Sequence, residues 1–148
     1  MRRPHAAEHA QPFYTAGDAL AVKRKVEELR RSAERSVLRV CVVGGGYIGC
    51  ELAQMFARMG AEVTLVTRSR LLPEAEPEVS DALTGYLRDE GLAVRDSLAY
   101  RRIVQANGAV ALTVEVDGRE ETLTADRVLV TTGRSPNTHG LDLQENGI

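Results

Sequence analysis

The stretch from Leu38 to Arg70 constrains the fold of this chain more than any other. The apolar run at 40–43 is short and rich in β-branched residues, which is typical of a strand buried on both faces of a parallel sheet. Three glycines at G-x-G-x-x-G spacing follow it, and a helix predicted over 47–59 leads to a second strand at 62–66. This order of segments predicts one complete β-α-β unit.

Each glycine of that loop has a physical role to fill. Gly44 allows the chain to turn tightly out of the strand, Gly46 lets the backbone approach a pyrophosphate, and Gly49 lets the helix pack closely on the strand. Unpaired amides at the helix N-terminus, together with the helix dipole, attract phosphates. We therefore predict a dinucleotide on this loop, also in contact with Gly45 and Ile48. The alternative is a glycine-rich packing turn with no ligand.

The residues after the second strand predict which dinucleotide binds. A site for NAD or FAD usually has Asp or Glu there, whereas the 2'-phosphate of NADP requires a cation. This chain has Thr67, Arg68, Ser69 and Arg70, with no acid among them. Since an arginine can hold a phosphate with a bidentate fork, the sequence favours NADP(H) over NAD(H). The alternative is that both arginines are solvated charges on a loop.

Composition excludes several other classes of function. The 148 residues suffice for one domain, and the net charge of −2 gives no basic field for nucleic acid. No apolar run is long enough to span a bilayer, so we expect a cytoplasmic protein with no membrane partner. Cys41 and Cys50 lack C-x-x-C spacing and are interpreted as core-filling thiols. Three scattered histidines give no pattern for a metal site or a hydrolase.

The rest of the chain continues the α/β pattern and then departs from it. A helix from Thr15 or Asp18 to Leu29 is predicted before the first strand, and a helix over 78–90 and a strand at 92–94 after the second. The dipeptides Asn107-Gly108 and Asp117-Gly118 are strong hairpin signals. They join short strands predicted at 99–106, 110–116 and 120–124, before a return to the parallel sheet at 126–130. We predict a Rossmann-like three-layer α/β domain with a parallel sheet and an inserted antiparallel β-meander.

Taken in this order, the chain resembles the NAD(P)H-binding domain of the FAD-dependent pyridine nucleotide-disulfide oxidoreductases from about Val40 to Ile148. The resemblance rests on VVGGGYIGCELAQMFARMGAEVTLVTRS, a helix, a meander and then RVLVTTGRSPNTHGL. Within the family, the stretch at 56–69 and the TGRSPNT segment are most similar to mercuric reductases, followed by dihydrolipoamide dehydrogenases and glutathione reductases. The resemblance to the family implies three regions: a tail and helix at 1–36, the NAD(P)H-binding domain at 37–135 and an exit segment at 136–148.

The resemblance also implies roles for individual residues. Tyr47 matches a residue that covers the nicotinamide pocket in glutathione reductase, although mercuric reductases often have a smaller residue there. Glu51 matches a glutamate near the nicotinamide carboxamide and the flavin; the alternative is a carboxylate that merely suits the dipole in the first helical turn. Gly133 lies in the family's T-G-R loop, where the backbone approaches the cofactor, and a plain turn is the other interpretation.

Other parts that the family uses do not occur in these 148 residues: a glycine motif for FAD, a redox-active cysteine pair, a G-D motif and a dimerisation domain. We therefore expect a piece of a flavin-dependent reductase whose partners are the dinucleotide and the missing FAD and dimerisation domains. In the whole enzyme, hydride would pass from NADPH to FAD, and electrons on to a disulfide or a mercuric ion. The alternative is a stand-alone dinucleotide-binding or interaction module without redox catalysis.

Overall fold

The computed structural model describes residues 37–106, 108–133, 138, 140–143 and 145–147, and before them residues 20, 21, 23, 24, 27, 28 and 31. The described residues between 20 and 31 are helical, in agreement with the predicted N-terminal helix, whose ends lie outside the described residues. None of the described helices is both long and apolar enough to cross a lipid bilayer.

A four-stranded parallel sheet forms the centre of the domain. Its strands are β1 (Arg39–Val43), β2 (Glu62–Val66), β3 (Ala93–Arg95) and β7 (Arg127–Val130), in the spatial order β3-β2-β1-β7. Strand β1 pairs in parallel with β2 on one side and β7 on the other. The carboxyl ends of all four strands therefore meet at one edge of the sheet, where ligands bind in open α/β sheets.

Strand β1 is buried on both faces, as its apolar run predicts. Val40 and Val42 point into a core shared with helices α1 (Tyr47–Arg58) and α2 (Pro77–Asp89). Cys41 and Val43, which alternate with them, point into a second core on the opposite face. Because successive side chains of a strand point in opposite directions, one short apolar strand joins both cores.

The second core lies beneath a three-stranded antiparallel sheet, made of β4 (Ala99–Ala106), β5 (Ala109–Val116) and β6 (Arg119–Ala125) in that spatial order. Leu112 and Val114 of β5 are fully buried against the parallel sheet. The hairpin turn at Asp117 and Gly118 has positive φ at both residues, of 50° and 75°, as an Asp-Gly turn requires. The helices, the parallel sheet and this meander are the three predicted layers.

The elements predicted from residue 40 onward all occur, with end points within two residues of the prediction. The strand predicted at 92–94 runs over Ala93–Arg95, the helix predicted at 78–90 runs over Pro77–Asp89, and the meander stands apart from the parallel strands. Leu112, at the centre of the meander, does not insert between parallel strands. The parallel sheet with a separate meander is therefore confirmed.

A carboxylate fastens β1 to the end of the meander. The Arg39 amide donates to Asp126 Oδ2 at 2.8 Å, and the Arg39 guanidinium donates to Oδ1 at 3.1 Å. The two side chains are only 24% and 26% exposed. Asp126 lies between β6 and β7, so this pair fixes the point at which the chain leaves the meander and returns to the parallel sheet.

Replacing Asp126 by Ala should therefore destabilise the domain by about 1 to 3 kcal/mol, because a hydrogen-bonded partly buried charge loses its acceptor. Urea unfolding followed by circular dichroism measures this change. Asp89→Ala, which removes an exposed carboxylate at the end of α2, should change the free energy of unfolding by less than about 0.5 kcal/mol. Equal effects of the two substitutions would contradict a fastening role for Asp126.

Candidate functional site

The loop between β1 and α1 packs so closely that two of its positions have no space for a side chain. A Cβ on Gly49 would lie 1.8 Å from the Gly44 carbonyl oxygen, and a Cβ on Gly44, whose φ is +120°, would lie 2.7 Å from Thr131 Oγ1. Only glycine allows these approaches, and they are the tight turn and the close helix packing expected of the first and third glycines. Both therefore have a steric reason to be glycine.

Thr131 fills the space that these glycines leave. Its hydroxyl lies 3.1 Å from the Val43 carbonyl oxygen and 3.2 Å from that of Gly44, and its amide donates to Val43 at 2.8 Å. Thr131 follows β7, so the end of that strand holds the glycine loop in place. Sequence reasoning assigned no role to Thr131, although it directly precedes the T-G-R segment.

Gly46 differs from the other glycines because it faces open space. A Cβ on Gly46 would meet no atom within 4 Å, whereas one on Gly45 would lie 2.6 Å from Thr67 Oγ1. Gly46 has ordinary extended dihedrals, φ −77° and ψ 179°, which other residues can adopt. Neither neighbouring atoms nor backbone conformation requires glycine here, and the space beside Gly46 is open to a ligand.

The N-terminus of α1 opens at this point with unpaired donors. Gly46 is the N-cap, no side chain caps the helix, and the first intrahelical bond runs from the Cys50 amide to the Gly46 carbonyl at 3.0 Å. The amides of Tyr47, Ile48 and Gly49 thus have no acceptor within the helix, and with the positive end of the dipole they suit a phosphate. These groups fit the pyrophosphate of a dinucleotide.

Glu51 does not belong to this first turn. Helix α1 begins at Tyr47 and has no acidic residue in its first turn, so Glu51 is its fifth residue. The interpretation of Glu51 as a first-turn carboxylate that suits the dipole was therefore wrong, because the dipole's effect falls off within one turn. Glu51 is instead exposed and, with Tyr47, lines a small cleft of about 140 Å³ between α1 and α2.

The end of β2 is held by a hydrogen bond that the sequence did not predict. The Val66 carbonyl accepts from the Gly44 amide at 2.9 Å and from the Tyr100 hydroxyl at 3.0 Å. Burial raises the pKa of Tyr100, although the nearby Arg68 opposes that shift, so the phenol stays protonated and can donate. Tyr100 thereby connects the meander to the segment that precedes Thr67 and Arg68.

Thr67 and the two arginines take different positions after β2. Thr67 is only 5% exposed and lies beneath Gly45, while its amide donates to the Arg95 carbonyl of β3 at 2.9 Å. Arg68 is exposed and forms no ion pair with a carboxylate in the described part of the chain. The Arg70 guanidinium donates to the Pro73 and Ala75 carbonyls at 3.1 and 2.7 Å. Arg70 therefore supports its own loop, whereas Arg68 is available to a ligand.

Arg68 and Arg70 line an open groove of about 930 Å³ between the loop after β2 and the meander, whose second hairpin turn contributes Asp117. Ser97, Leu98 and Ala99 form another wall of this groove. The groove lies at the carboxyl edge of the parallel sheet, on the same side as the glycine loop. A dinucleotide with its pyrophosphate on the loop would place one nucleoside here.

The two remaining predicted features are a glycine after β7 and the cysteines. Gly133 is exposed with a φ of +130°, and a Cβ there would meet no atom within 4 Å, so its backbone is open to a partner. Cys41 and Cys50 are free and buried, and burial raises the pKa of each thiol to about 11. Thiols held protonated in this way suit core packing, as predicted, and not redox chemistry. The described residues contain no group of three or more His, Cys, Asp or Glu placed to hold a metal ion.

A family model for pyridine nucleotide-disulphide oxidoreductases matches residues 5–148 of this chain. The chain therefore belongs to that family, as its resemblance predicts. Mercuric reductase from Staphylococcus aureus is 42% identical over 111 residues, and mercuric reductase from Shigella flexneri is 34% identical over 137 residues. These matches cover 74% and 93% of this chain, and 20% and 22% of the relatives. Dihydrolipoyl dehydrogenase from Trypanosoma brucei brucei is 40% identical over 118 residues, which is 74% of this chain and 24% of that protein.

Solved structures have the same fold. An engineered water-forming NADPH oxidase bound to NADPH superimposes with a TM-score of 0.70 at 23% identity, over 90% of this chain and 27% of that one. A Cu(II) complex of a flavoprotein disulfide reductase from Escherichia coli gives a TM-score of 0.61 at 30% identity, over 78% and 26%. The chain thus spans about a fifth to a quarter of the length of the relatives it matches.

The contrast between Gly46 and Gly49 gives a test of the loop. Gly49→Ala should destabilise the domain by at least about 2 kcal/mol, since its methyl group would collide with the Gly44 carbonyl. Gly46→Ala should cost less than about 1 kcal/mol but weaken dinucleotide binding about tenfold, because the methyl group would occupy the space that a pyrophosphate needs. Urea unfolding and calorimetric titration separate the two effects. A Gly46→Ala variant with wild-type affinity would contradict the assignment of this space.

Proposed function

We propose that this chain is the NADP(H)-binding module of a flavin-dependent member of the pyridine nucleotide-disulfide oxidoreductase family. The observation that carries the proposal is a glycine cradle that opens on uncapped helix amides, with Arg68 after the neighbouring strand β2 in no ion pair with a carboxylate of the described residues. NADPH supplies a hydride when bound, and in the whole enzyme FAD would receive it and pass electrons to a disulfide or a mercuric ion. The residues of this chain would bind and orient the dinucleotide.

The glycine loop and α1 would hold the pyrophosphate. Gly46 leaves space for it, and the amides of Tyr47 and Ile48 have no intrahelical acceptor. A dianionic pyrophosphate at this place replaces water on these donors and interacts favourably with the helix dipole. Gly45 and Gly49 take part indirectly, because they allow the loop to pack against Thr67 and Gly44.

Arg68 would select NADPH by contacting the 2'-phosphate. It is exposed at the end of β2, next to a threonine where an NAD site usually has an acid. Thr67 is buried beneath Gly45, so its hydroxyl contributes to the shape of the loop and Arg68 supplies the charge. Arg70 would contribute less, because its guanidinium already donates to two backbone carbonyls.

The nicotinamide end of the cofactor would lie near Tyr47, Glu51 and Gly133, as the family resemblance implies. Tyr47 is 64% exposed at the start of α1 and can move without disturbing the core. Glu51 lines the same cleft and is free to accept from a carboxamide. Gly133 follows β7, which pairs with β1, so its open backbone lies at the same edge of the sheet.

The partners proposed for this module are the FAD and dimerisation domains of the same enzyme. Large apolar side chains are exposed at the carboxyl edge of the sheet, among them Tyr47 at 64%, Ile48 at 37% and Val130 at 50%. A module evolved to act alone would have polar residues there. The exposure of these three side chains favours a module that packs against further domains over the stand-alone alternative.

The identity of the relatives supports a mercuric ion or a disulfide as electron acceptor. Mercuric reductases and dihydrolipoyl dehydrogenases match this chain at 34–42% and 36–40% identity. The residues of this chain would act before the acceptor is reached, because they hold the hydride donor.

We propose a cytoplasmic enzyme that binds no nucleic acid, in keeping with its net charge of −2.

Replacing Arg68 by Ala should weaken NADPH binding by about 1.5 to 3 kcal/mol, the contribution of a hydrogen bond to a charged group, and leave NADH binding nearly unchanged. Arg70→Ala is the matched control, and it should change the preference for NADPH over NADH much less than Arg68→Ala does, because the Arg70 guanidinium already donates to two backbone carbonyls. Calorimetric titration of both dinucleotides into the variants measures the difference. Equal losses for NADPH and NADH in Arg68→Ala would contradict the choice of NADP(H).

These 148 residues on their own should neither retain FAD nor oxidise NADPH with artificial acceptors. The sequence contains one G-x-G-x-x-G motif, which the proposal assigns to NADP(H), and both cysteines are buried thiols. Absorbance at flavin wavelengths and NADPH consumption after repurification test this expectation. Stoichiometric flavin in the purified chain would contradict it.

A further inference from the structure

An irregularity in the first meander strand places a cation beside the groove. The register of β4 against β5 shifts between Tyr100 and Arg102, so Arg101 is an extra residue in a β-bulge. Tyr100 turns inward and bonds to the Val66 carbonyl, while Arg101 is exposed. Bulges re-aim side chains in this way, and here the two consecutive residues contact different parts of the candidate site.

Arg101 is directed at one carboxylate of β5. Its Nε and one terminal nitrogen donate to Glu115 Oε2 at 3.1 and 2.6 Å. The side chains of Arg101 and Glu115 are 49% and 30% exposed. Glu115 pairs across the strands with Ala99, and both of these residues line the groove next to Arg68.

The charged residues on the groove wall determine the sign of its electrostatic potential. Two cations, Arg68 and Arg70, and two acids, Glu115 and Asp117, line the groove. The Arg70 charge is directed to backbone carbonyls. Without Arg101, two carboxylates would therefore face a binding site whose ligand carries a 2'-phosphate, and Glu115 could also compete for Arg68.

We propose that the Arg101–Glu115 pair is a specificity-determining element for the 2'-phosphate, which rests on the proposed function of the groove. Arg101 neutralises Glu115 and so keeps the groove favourable for a dianion and Arg68 free to contact it. Arg101 does not itself touch the dinucleotide, so it is a positioning residue. NADH lacks the 2'-phosphate, and its binding is insensitive to this pair.

The expected effect is modest because the pair is partly exposed. Coupling between exposed charges is worth about 0.2 to 1 kcal/mol, which corresponds to at most about a fivefold change in affinity. A groove of this volume is on the order of 10 Å across, comparable to the Debye length at about 0.1 M salt. The effect is therefore measured in low-salt buffer, and it declines as salt is added.

The experiment titrates NADPH and NADH by calorimetry into the full chain as wild type, Arg101→Ala, Glu115→Gln and the double variant. Arg101→Ala raises the Kd for NADPH about two- to fivefold and that for NADH by less than a factor of two. The double variant returns the ratio of the two Kd values to that of the wild type, because the unpaired carboxylate is gone. Arg101→Lys keeps the charge and the ratio, which provides a test if Arg101→Ala folds poorly.

Arg58→Ala is the matched control. Arg58 pairs with Glu90 at 2.7 Å with side chains 64% and 31% exposed, and it lies at the C-terminal end of α1, away from the groove. The Arg58→Ala substitution removes the same charge as Arg101→Ala, and we expect it to leave the ratio of the Kd values for NADPH and NADH unchanged. An effect of Arg58→Ala equal to that of Arg101→Ala would reduce the inference to net charge and overturn it.

The remaining outcomes separate this inference from the proposed function. An NADPH preference in the wild type that stays unchanged in Arg101→Ala overturns the role of the pair alone. Equal losses for both dinucleotides in Arg101→Ala, without recovery in the double variant, assign Arg101 a structural role and also overturn it. A wild type that binds the two dinucleotides equally overturns the cofactor choice and this inference together.

Discussion

The contact between Gly49 and the Gly44 carbonyl is the constraint on which the rest of the site depends. A side chain at Gly49 would place its first carbon 1.8 Å from that oxygen. Because none is there, α1 begins directly above the end of β1, and its uncapped amides face the carboxyl edge of the sheet. The hydroxyl of Thr131 and the amide of Gly44 then fix the loop to β7 and β2. The proposed anion site therefore depends on how closely a helix can approach a strand.

The layers around this loop explain which elements support the groove and supply its charged side chains. Strand β1 sends Val40 and Val42 to the helices and Cys41 and Val43 to the meander, so both layers are anchored to the strand that carries the glycines. The meander contributes Tyr100 to the end of β2 and, through its bulge, Arg101 to Glu115. An inserted sheet that replaces a helix therefore supplies both mechanical support and charge to the groove.

Local patterns in the sequence predicted most of the fold and the centre of the site. The steric roles of Gly44 and Gly49 followed from their spacing after a buried strand, the pyrophosphate role of Gly46 stays a prediction, and the Asp117-Gly118 turn followed from its dipeptide. The contacts of Thr131 with Gly44 and of Tyr100 with Val66 join residues 87 and 34 positions apart, so no short pattern records them. Glu51 is the fifth residue of a helix whose start was predicted correctly, so it lies just beyond the first turn, in which the dipole acts.

The central claim, that the pyrophosphate of a dinucleotide binds at the uncapped start of α1, can be tested directly by nuclear magnetic resonance. A chain of 16.1 kDa is small enough for amide resonances to be assigned and followed during titration with NADPH. The account predicts that the largest changes in amide chemical shift occur at Tyr47, Ile48 and Gly49, whose amides have no acceptor within the helix. Saturable changes that leave these three amides unaffected and are confined to the helix surface of α2 would contradict it.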